Sequence, residues 1–366
     1  MEEFGPLGEV LPDVRRIAVL RGGGIGDMVS TLPAIGSLSD AYPDAGIVLL
    51  GTEAHEELFR DRPGPVSEVR VLPVAKGVYE PSDTPADPVA EERFFSWARQ
   101  SRFDLAVQLH GGGRWSNPFV RRLGARCTVG SHTDGVERLD RSIPYQLYQH
   151  EVFRTLEVVG QAGAAPTRRL PALDVTETDL AAADAALEGL EPPVLAVHPG
   201  ARDPRRRWPT SRFGEVVGEA VSAGASAVVL GSPGDGELAD EVVRAARGRR
   251  SAIRSLAGRL ALSGVLGVLS RSAVLLANDS GPRHLAQAVG TPTVSVFWIG
   301  NVITAAPFVR ARHRVHVSTT VACPVCGADC SGLDAPRCPH DVSFLTDVRV
   351  GPVRDDVLEL IGTTDA

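Results

Sequence analysis

A short apolar strand that runs through a glycine-rich turn straight into a helix constrains this chain more than any other feature. Ile17-Ala-Val-Leu20 is rich in β-formers, and Arg21-Gly-Gly-Gly-Ile-Gly-Asp27 follows it directly. Beyond the turn, Met28, Leu32, Ile35 and Leu38 recur at spacings of three and four, the period of a helix with one apolar face. The passage then repeats, with strands predicted over 47–50, 69–72 and 105–109 and helices over 54–59 and 91–100. Such alternation means a parallel sheet covered by helices, because parallel strands need a crossover and the crossover helix packs on the sheet.

The alternation stops at 160–171, which is rich in Gly, Ala and Pro, and resumes after a helix predicted over 178–190. Strands follow over 194–197, 227–230, 273–277 and 293–297, with helices over 211–222, 236–247, 262–270, 281–289 and 353–360. The stretch 77–88 holds three prolines and several acids and reads as an exposed loop. A chain of 366 residues accommodates two such units at about 100–200 residues per domain. The fold class is therefore α/β, two doubly wound domains in series. Ligands in such sheets lie beyond the carboxyl ends of the strands, so the residues just after each strand carry the functional information.

Composition removes several classes. Hydrophobic residues are 43% and charged residues 23%, the balance of a folded globular chain. No apolar run approaches the roughly 18 residues that span a bilayer. The opening MEEFGPLGEVLPD lacks the basic and apolar parts of a secretory signal, so a cytoplasmic location is expected. A net charge of −7 argues against a general nucleic-acid or anionic-membrane binder. Lys76 is the one lysine among 38 basic residues, a bias of GC-rich coding that carries no mechanism.

The loop Gly22-Gly-Gly-Ile-Gly-Asp27 is not a dinucleotide fingerprint, since Asp27 stands where the third glycine belongs and would repel a pyrophosphate. Two readings remain. The glycines supply positive φ in a tight turn that Asp27 caps, or the loop admits a ligand beside an acid kept ionised by the helix dipole. His198-Pro-Gly-Ala-Arg-Asp-Pro-Arg-Arg-Arg-Trp-Pro209 sets Arg202, Arg205, Arg206 and Arg207 behind the first strand of the second series. They form either a solvated charge run or a bidentate phosphate site. Leu230-Gly-Ser-Pro-Gly-Asp-Gly-Glu237 places Asp235 and Glu237 at another strand–helix turn, as ribose-hydroxyl acceptors or as acids favoured at a helix start. Asn278-Asp-Ser-Gly-Pro-Arg-His284 is the densest group. Pro282 suits a first helical turn, the N–H groups of Ser280, Gly281 and Arg283 would face an anion, and Asp279 and His284 stand beside them.

Four segments, RIAVLRGGGIGDMVSTLPAIGSL, VLAVHPGARDPRRRWP, VVLGSPGDGE and LLANDSGPRHLAQAVGTPTVSVF, stand in this order. Together they resemble the heptosyltransferase-type glycosyltransferases of family 9, over residues 17–362. The resemblance implies a GT-B fold, two Rossmann-like domains facing across a cleft. Residues 1–165 would hold the acceptor and 166–350 the nucleotide-sugar, with a helix in 351–366 packing back on the first domain. It implies inverting, metal-independent transfer of a heptose-like sugar from a nucleotide-diphosphate donor, ADP-heptose, to a hydroxyl of a glycan or glycosylated small molecule, without a cofactor. Asp27 matches the general base, and Gly24, Gly26, His110 and Gly111 lie on acceptor-side loops. Gly200, Arg206, Asp235, Glu237, Asp279, Ser280, Gly281 and His284 fall on the donor side. Arg206 stands where well-known members carry lysine, and Ser280 where they carry threonine, so donor contacts differ in detail.

Other readings are a natural-product (amino-sugar) glycosyltransferase with another nucleotide-sugar, a GT-B sugar-nucleotide epimerase, and a non-catalytic nucleotide-sugar-binding protein; the acid in the first loop favours transfer. Residues 1–180 carry 19 basic and 26 acidic side chains and residues 181–366 carry 19 of each. That excess of acid in the acceptor half favours a neutral or amine-bearing acceptor over a phosphorylated one. A lipid acceptor would bring peripheral membrane contact. Four cysteines, Cys323, Cys326, Cys330 and Cys338, crowd one segment and could make a tetrahedral zinc site. Their spacing is not two CxxC pairs, so the expectation is a reduced or redox-labile structural loop without metal. Cys127 reads as a small buried apolar residue.

Overall fold

The computed structural model describes residues 7–81, 84–330 and 338–362. The chain divides into a first unit that ends at Asp174 and a second that begins at Val175.

The first unit runs β1 (Arg16–Leu20), α1 (Ile25–Ala41), β2 (Gly46–Gly51), α2 (Glu53–Phe59), β3 (Val66–Val71), α3 (Pro88–Gln100), β4 (Leu105–Gln108), α4 (Ser116–Arg122), β5 (Cys127–His132), β6 (Arg141–Pro144) and α5 (Glu151–Gly160). Its strands are ordered β3-β2-β1-β4-β5-β6 and all pair parallel. Ile17, Ala18, Val19 and Leu20 are buried because helices cover both faces of β1, which is why the strand reads as an unbroken apolar run. On one face Leu20, Val48 and Leu50 pack with Phe94, Phe95 and Phe119.

The second unit runs α6 (Glu177–Leu187), β7 (Val194–His198), α7 (Thr210–Ser222), β8 (Ser226–Val229), α8 (Gly236–Ala245), β9 (Ile253–Ser255), α9 (Leu262–Arg271), β10 (Val274–Asn278), α10 (Gly281–Ala288), β11 (Thr293–Trp298), α11 (Ile299–Ala305), β12 (His313–Ser318) and α12 (Val350–Gly362). Its order, β12-β11-β10-β7-β8-β9, is the same pattern, again wholly parallel. In each unit the chain order reverses between the first strand and the fourth, β1/β4 and β7/β10. That switch point opens a crevice at the strands' carboxyl ends.

Several elements lie outside the sequence prediction. β5, β6, β9 and β12 are short or carry polar residues, and β6, half-buried at the sheet's edge, reads Arg-Ser-Ile-Pro. Pairing, rather than an apolar run, makes them strands, and polar edges discourage further pairing. β3 begins at Val66, ahead of the predicted 69. Val353, Val357, Leu360 and Ile361 of α12 join the core of the second unit with Trp208, Phe213 and Val217. Helices α6 and α9 approach so closely that a Cβ at Gly267 would stand 1.9 Å from the Asp179 carbonyl oxygen. Cys127 is buried as expected. Residues 1–6 of the acidic opening lie outside the described residues.

Candidate active site

At the β1/β4 switch point the glycines of the first loop provide room rather than handedness. None of Gly22, Gly23, Gly24 or Gly26 has positive φ, contrary to the turn reading. A Cβ at Gly22 would stand 1.9 Å from the Val78 carbonyl oxygen, so residues 22 and 78 meet backbone to backbone. Gly111 and Gly113, after β4, do need their freedom, at φ +65° and +91°.

Asp27 is the third residue of α1, and its carboxylate turns back on the loop that precedes the helix. Oδ2 accepts the Gly24 N–H at 3.0 Å, which caps the helix, and Oδ1 lies 3.1 Å from Arg21 Nη2. The side chain is still 49% exposed. Arg21 itself is buried, donates to the Leu109 carbonyl and reaches Glu151 at 3.6 Å. Glu151 pairs in turn with the buried Arg154, whose guanidinium donates to the Gln146, Leu147 and Gln149 carbonyls and holds the loop before α5. His110 Nδ1 accepts the Gly22 N–H at 3.2 Å, so Nε2 carries the proton and donates to the Gly77 carbonyl at 3.2 Å. Burial, helped by Arg21, lowers the His110 pKa and keeps the ring neutral. Arg21 and Glu151 were not singled out in the sequence; the available signal was a charge abutting a buried strand.

At the β7/β10 switch point Asp279 is the hub. Its Oδ1 accepts from Arg283 Nη2 at 2.9 Å, and its Oδ2 lies 3.6 Å from Arg206 Nη1. Arg283 has no exposure, donates also to the Ala305 carbonyl and lies against the Phe297 ring at 4.9 Å. His284 Nε2 contacts Arg283 Nη2, and since a guanidinium only donates, this nitrogen is the unprotonated acceptor. Asn278 joins three loops, with Nδ2 donating to Pro199 O at 2.7 Å and Oδ1 accepting from Trp208 N at 3.0 Å. Ser280 Oγ bonds His198 Nδ1 at 3.0 Å instead of capping α10. The Arg283 N–H, expected to face an anion, donates to the Ser280 carbonyl at 3.1 Å. The N–H groups of Ser280 and Gly281 have no partner among the described residues.

The arginine run is not one solvated face. Arg205 is paired with Asp203 at 2.6 Å, Arg207 donates to the Ala201 carbonyl, Arg202 is exposed and Arg206 points to Asp279. Asp235 caps its own turn through Ser232 and lies against the second loop: a Cβ at Gly200 would stand 2.7 Å from Asp235 Oδ1. Glu237 is exposed one turn away on α8. Cys323, Cys326 and Cys338 lie together with His340, and Cys330 stands outside that group.

Two parallel Rossmann-type units, each with polar residues gathered at its switch point, are the architecture found in GT-B glycosyltransferases. A family model for glycosyltransferase family 9 (heptosyltransferase) matches residues 93–324, and the chain belongs to that family. Lipopolysaccharide heptosyltransferase 2 of Salmonella typhimurium is 25% identical over 296 residues, covering 77% of this chain and 82% of that protein. The structure of E. coli ADP-heptose lps heptosyltransferase II matches at a TM-score of 0.74 with 19% identity, over 96% of this chain and all (100%) of that one. E. coli heptosyltransferase WaaC with ADP matches at 0.66 with 19% identity, over 94% and 99%. At this identity the structural likeness speaks for the fold. Among the described residues no helix is long and apolar enough to cross a membrane.

Burial pushes His55, His198 and His313 each down to about 4. The unfolded chain binds these protons near the ordinary value of about 6.5 and the folded chain does not, so stability rises with pH across this window. The thermal midpoint is therefore expected to fall as pH drops from about 6.5 towards 4, and His55→Gln should flatten the upper part of that slope. A midpoint independent of pH between about 7 and 5 would contradict the buried neutral state.

Proposed function

We propose that this chain is an inverting heptosyltransferase that moves a heptose from an ADP-linked donor bound by the second unit to a hydroxyl of an anionic glycan bound by the first. The observation that carries the reading is the split between the two strand ends. One presents a half-exposed carboxylate, Asp27, and the other gathers Arg206, Arg283, Asp279 and two unpartnered helix amides. The matching E. coli structures, ADP-heptose lps heptosyltransferase II and heptosyltransferase WaaC with ADP, support the donor.

In this mechanism the acceptor hydroxyl gives its proton to Asp27 as its oxygen attacks the anomeric carbon. Attack comes from the face opposite the diphosphate, so the configuration inverts. The bond between the anomeric carbon and the β-phosphate oxygen breaks, and its electron pair leaves with ADP. Arg206 and the Ser280 and Gly281 amides meet that charge, the kind of stabilisation that matters most where water is excluded. Arginine and amides suffice for this task, so the reading assigns no metal to the reacting atoms. Asp279 holds both guanidiniums and leaves the group one positive charge in excess. Five unpaired cysteines suit a reducing, cytoplasmic setting.

The acceptor is read from local charge. The sum over residues 1–180 favours a neutral or amine-bearing acceptor, but salt screens charges beyond about 8–10 Å. Nearer the loop, Lys76 Nζ lies 4.7 Å and the Arg114 guanidinium 5.5 Å from the centre of the Trp115 ring, which packs over Gly77. Trp115 is 41% exposed, an aromatic face for a sugar ring with two cations at its rim. The lipopolysaccharide heptosyltransferases among the relatives support an anionic core acceptor.

Asp27→Asn keeps the helix cap and removes the base, so kcat should fall by about two to four decades while ADP affinity holds; near-normal turnover removes Asp27 from the mechanism. Arg206→Ala should weaken ADP binding by about 1.5–3 kcal/mol, read by calorimetry, and an unchanged dissociation constant returns this arginine to the solvated surface. With one fixed donor, a phosphorylated glycan acceptor should react faster than its dephosphorylated form, with the advantage shrinking as salt is added and in Arg114→Ala. The opposite preference restores the amine-bearing acceptor.

A further inference from the structure

Between β12 and α12, the described residues of 319–349 include no helix or strand, a long connection for a compact unit. A small separate core of Cys323, Cys338 and Phe344 lies there, with Trp298 packed against it. Such a core is too small to hold a lobe of this size by itself. The lobe begins as a tight knuckle. Cys323 N donates to Ala328 O at 2.8 Å, Gly327 N to Cys323 O at 2.9 Å and Cys330 N to Val321 O at 2.9 Å. Gly327, at φ +72°, makes the reversal possible.

Opposite the knuckle stand Cys338 and His340. One ligand atom from each of Cys323, Cys326, Cys338 and His340 lies within 4.8 Å of all the others, and Cys323 Sγ is 3.8 Å from His340 Nδ1. Sulfur and nitrogen ligands at about 2.3 and 2.0 Å from a shared tetrahedral ion stand roughly 3.5–3.8 Å apart, so little movement closes the set. Cys330 packs beside this set without joining it, its thiol donating to the Ala328 carbonyl at 3.5 Å. We propose that Cys323, Cys326, Cys338 and His340 bind one tetrahedral transition ion of the thiolate-preferring kind, zinc or iron, and that this ion braces the arginine loop of the donor site.

The brace is visible in the chain that leaves His340. Ser343 Oγ donates to Arg207 O at 2.6 Å, Phe344 N donates to Arg205 O at 2.8 Å, and the Arg205 guanidinium lies 5.8 Å from the Phe344 ring centre. Both neighbours of Arg206 are thus tied to the lobe the ion would close. The ion touches no reacting atom; it fixes the backbone that aims Arg206. This second step rests on the reading that Arg206 meets the donor diphosphate, whereas the metal site itself does not.

The test begins with elemental analysis of the full chain purified without chelator. Zinc plus iron should total about one ion per chain. The content should fall to background in Cys326→Ser and His340→Ala, whose side chains lie at or near the surface, and stay at the wild-type level in Cys330→Ser. Metal-free wild-type protein, a disulfide between Cys323 and Cys338 in a thiol count, or metal retained by both variants overturns the site. Stripping the wild type with a chelator and adding back Zn²⁺ alone avoids variants that misfold. ADP affinity should weaken on the order of three- to tenfold on stripping and recover with Zn²⁺, as expected when an ordered loop becomes loose. If stripping leaves ADP affinity unchanged while Arg206→Ala weakens it, the brace is wrong. If Arg206→Ala is silent too, the donor reading fails, and the metal content still decides the site.

Discussion

A guanidinium with no exposure to solvent, Arg283, sets the geometry of the second unit's site. Removing such a charge from water costs several kcal/mol unless it is paired and hydrogen-bonded. Asp279 is the partner, and pairing fixes its carboxylate at the mouth of the β7/β10 crevice. The second oxygen of that carboxylate then holds Arg206, and the adjacent Asn278 amide ties in the chain at Pro199 and Trp208. One buried charge therefore fixes three loops, because each polar group drawn in must be satisfied in turn.

The first unit meets the same constraint at the matching place. Arg21 is buried at the carboxyl end of β1, and Asp27 and Glu151 answer its charge. The difference lies in exposure. Asp279 is nearly buried, at 8% of its side chain, between two guanidiniums, whereas Asp27 keeps 49% of its side chain open. A carboxylate locked between cations is suited to hold and orient; one left open beside a single cation can also exchange a proton. The two acids thus differ in environment, although each sits at a strand–helix turn.

Much of the fold was legible because β1, β2, β7 and β10 are buried on both faces and so must be apolar throughout. β6 and β12 were not, since Arg141 and Ser142 or His313 and Arg314 form a strand only when a neighbour offers its backbone. The site was legible to the level of the loop. Asp27, Arg206, Asp279 and Ser280 stand where the sequence placed them, just beyond strands, whereas Arg21, His198, Asn278 and the side chain of Arg283 were overlooked within the same segments. Their importance comes from burial, and burial of a polar side chain has no local sequence pattern.

The sequence by itself determined that two parallel sheets form and which loops would end at their switch points, because apolar periodicity and glycine placement are local properties. Only the tertiary structure decided how those loops are used. It turned three of the four arginines within 202–207 to separate partners, set Asp235 rather than Glu237 against Gly200, brought His340 to the cysteines in place of Cys330, and set Lys76 and Arg114 over one tryptophan. The Arg206–Asp279, Asp235–Gly200 and Lys76–Trp115 contacts join residues far apart in the chain, and a charge or thiol acquires its chemistry from the neighbour that folding brings to it.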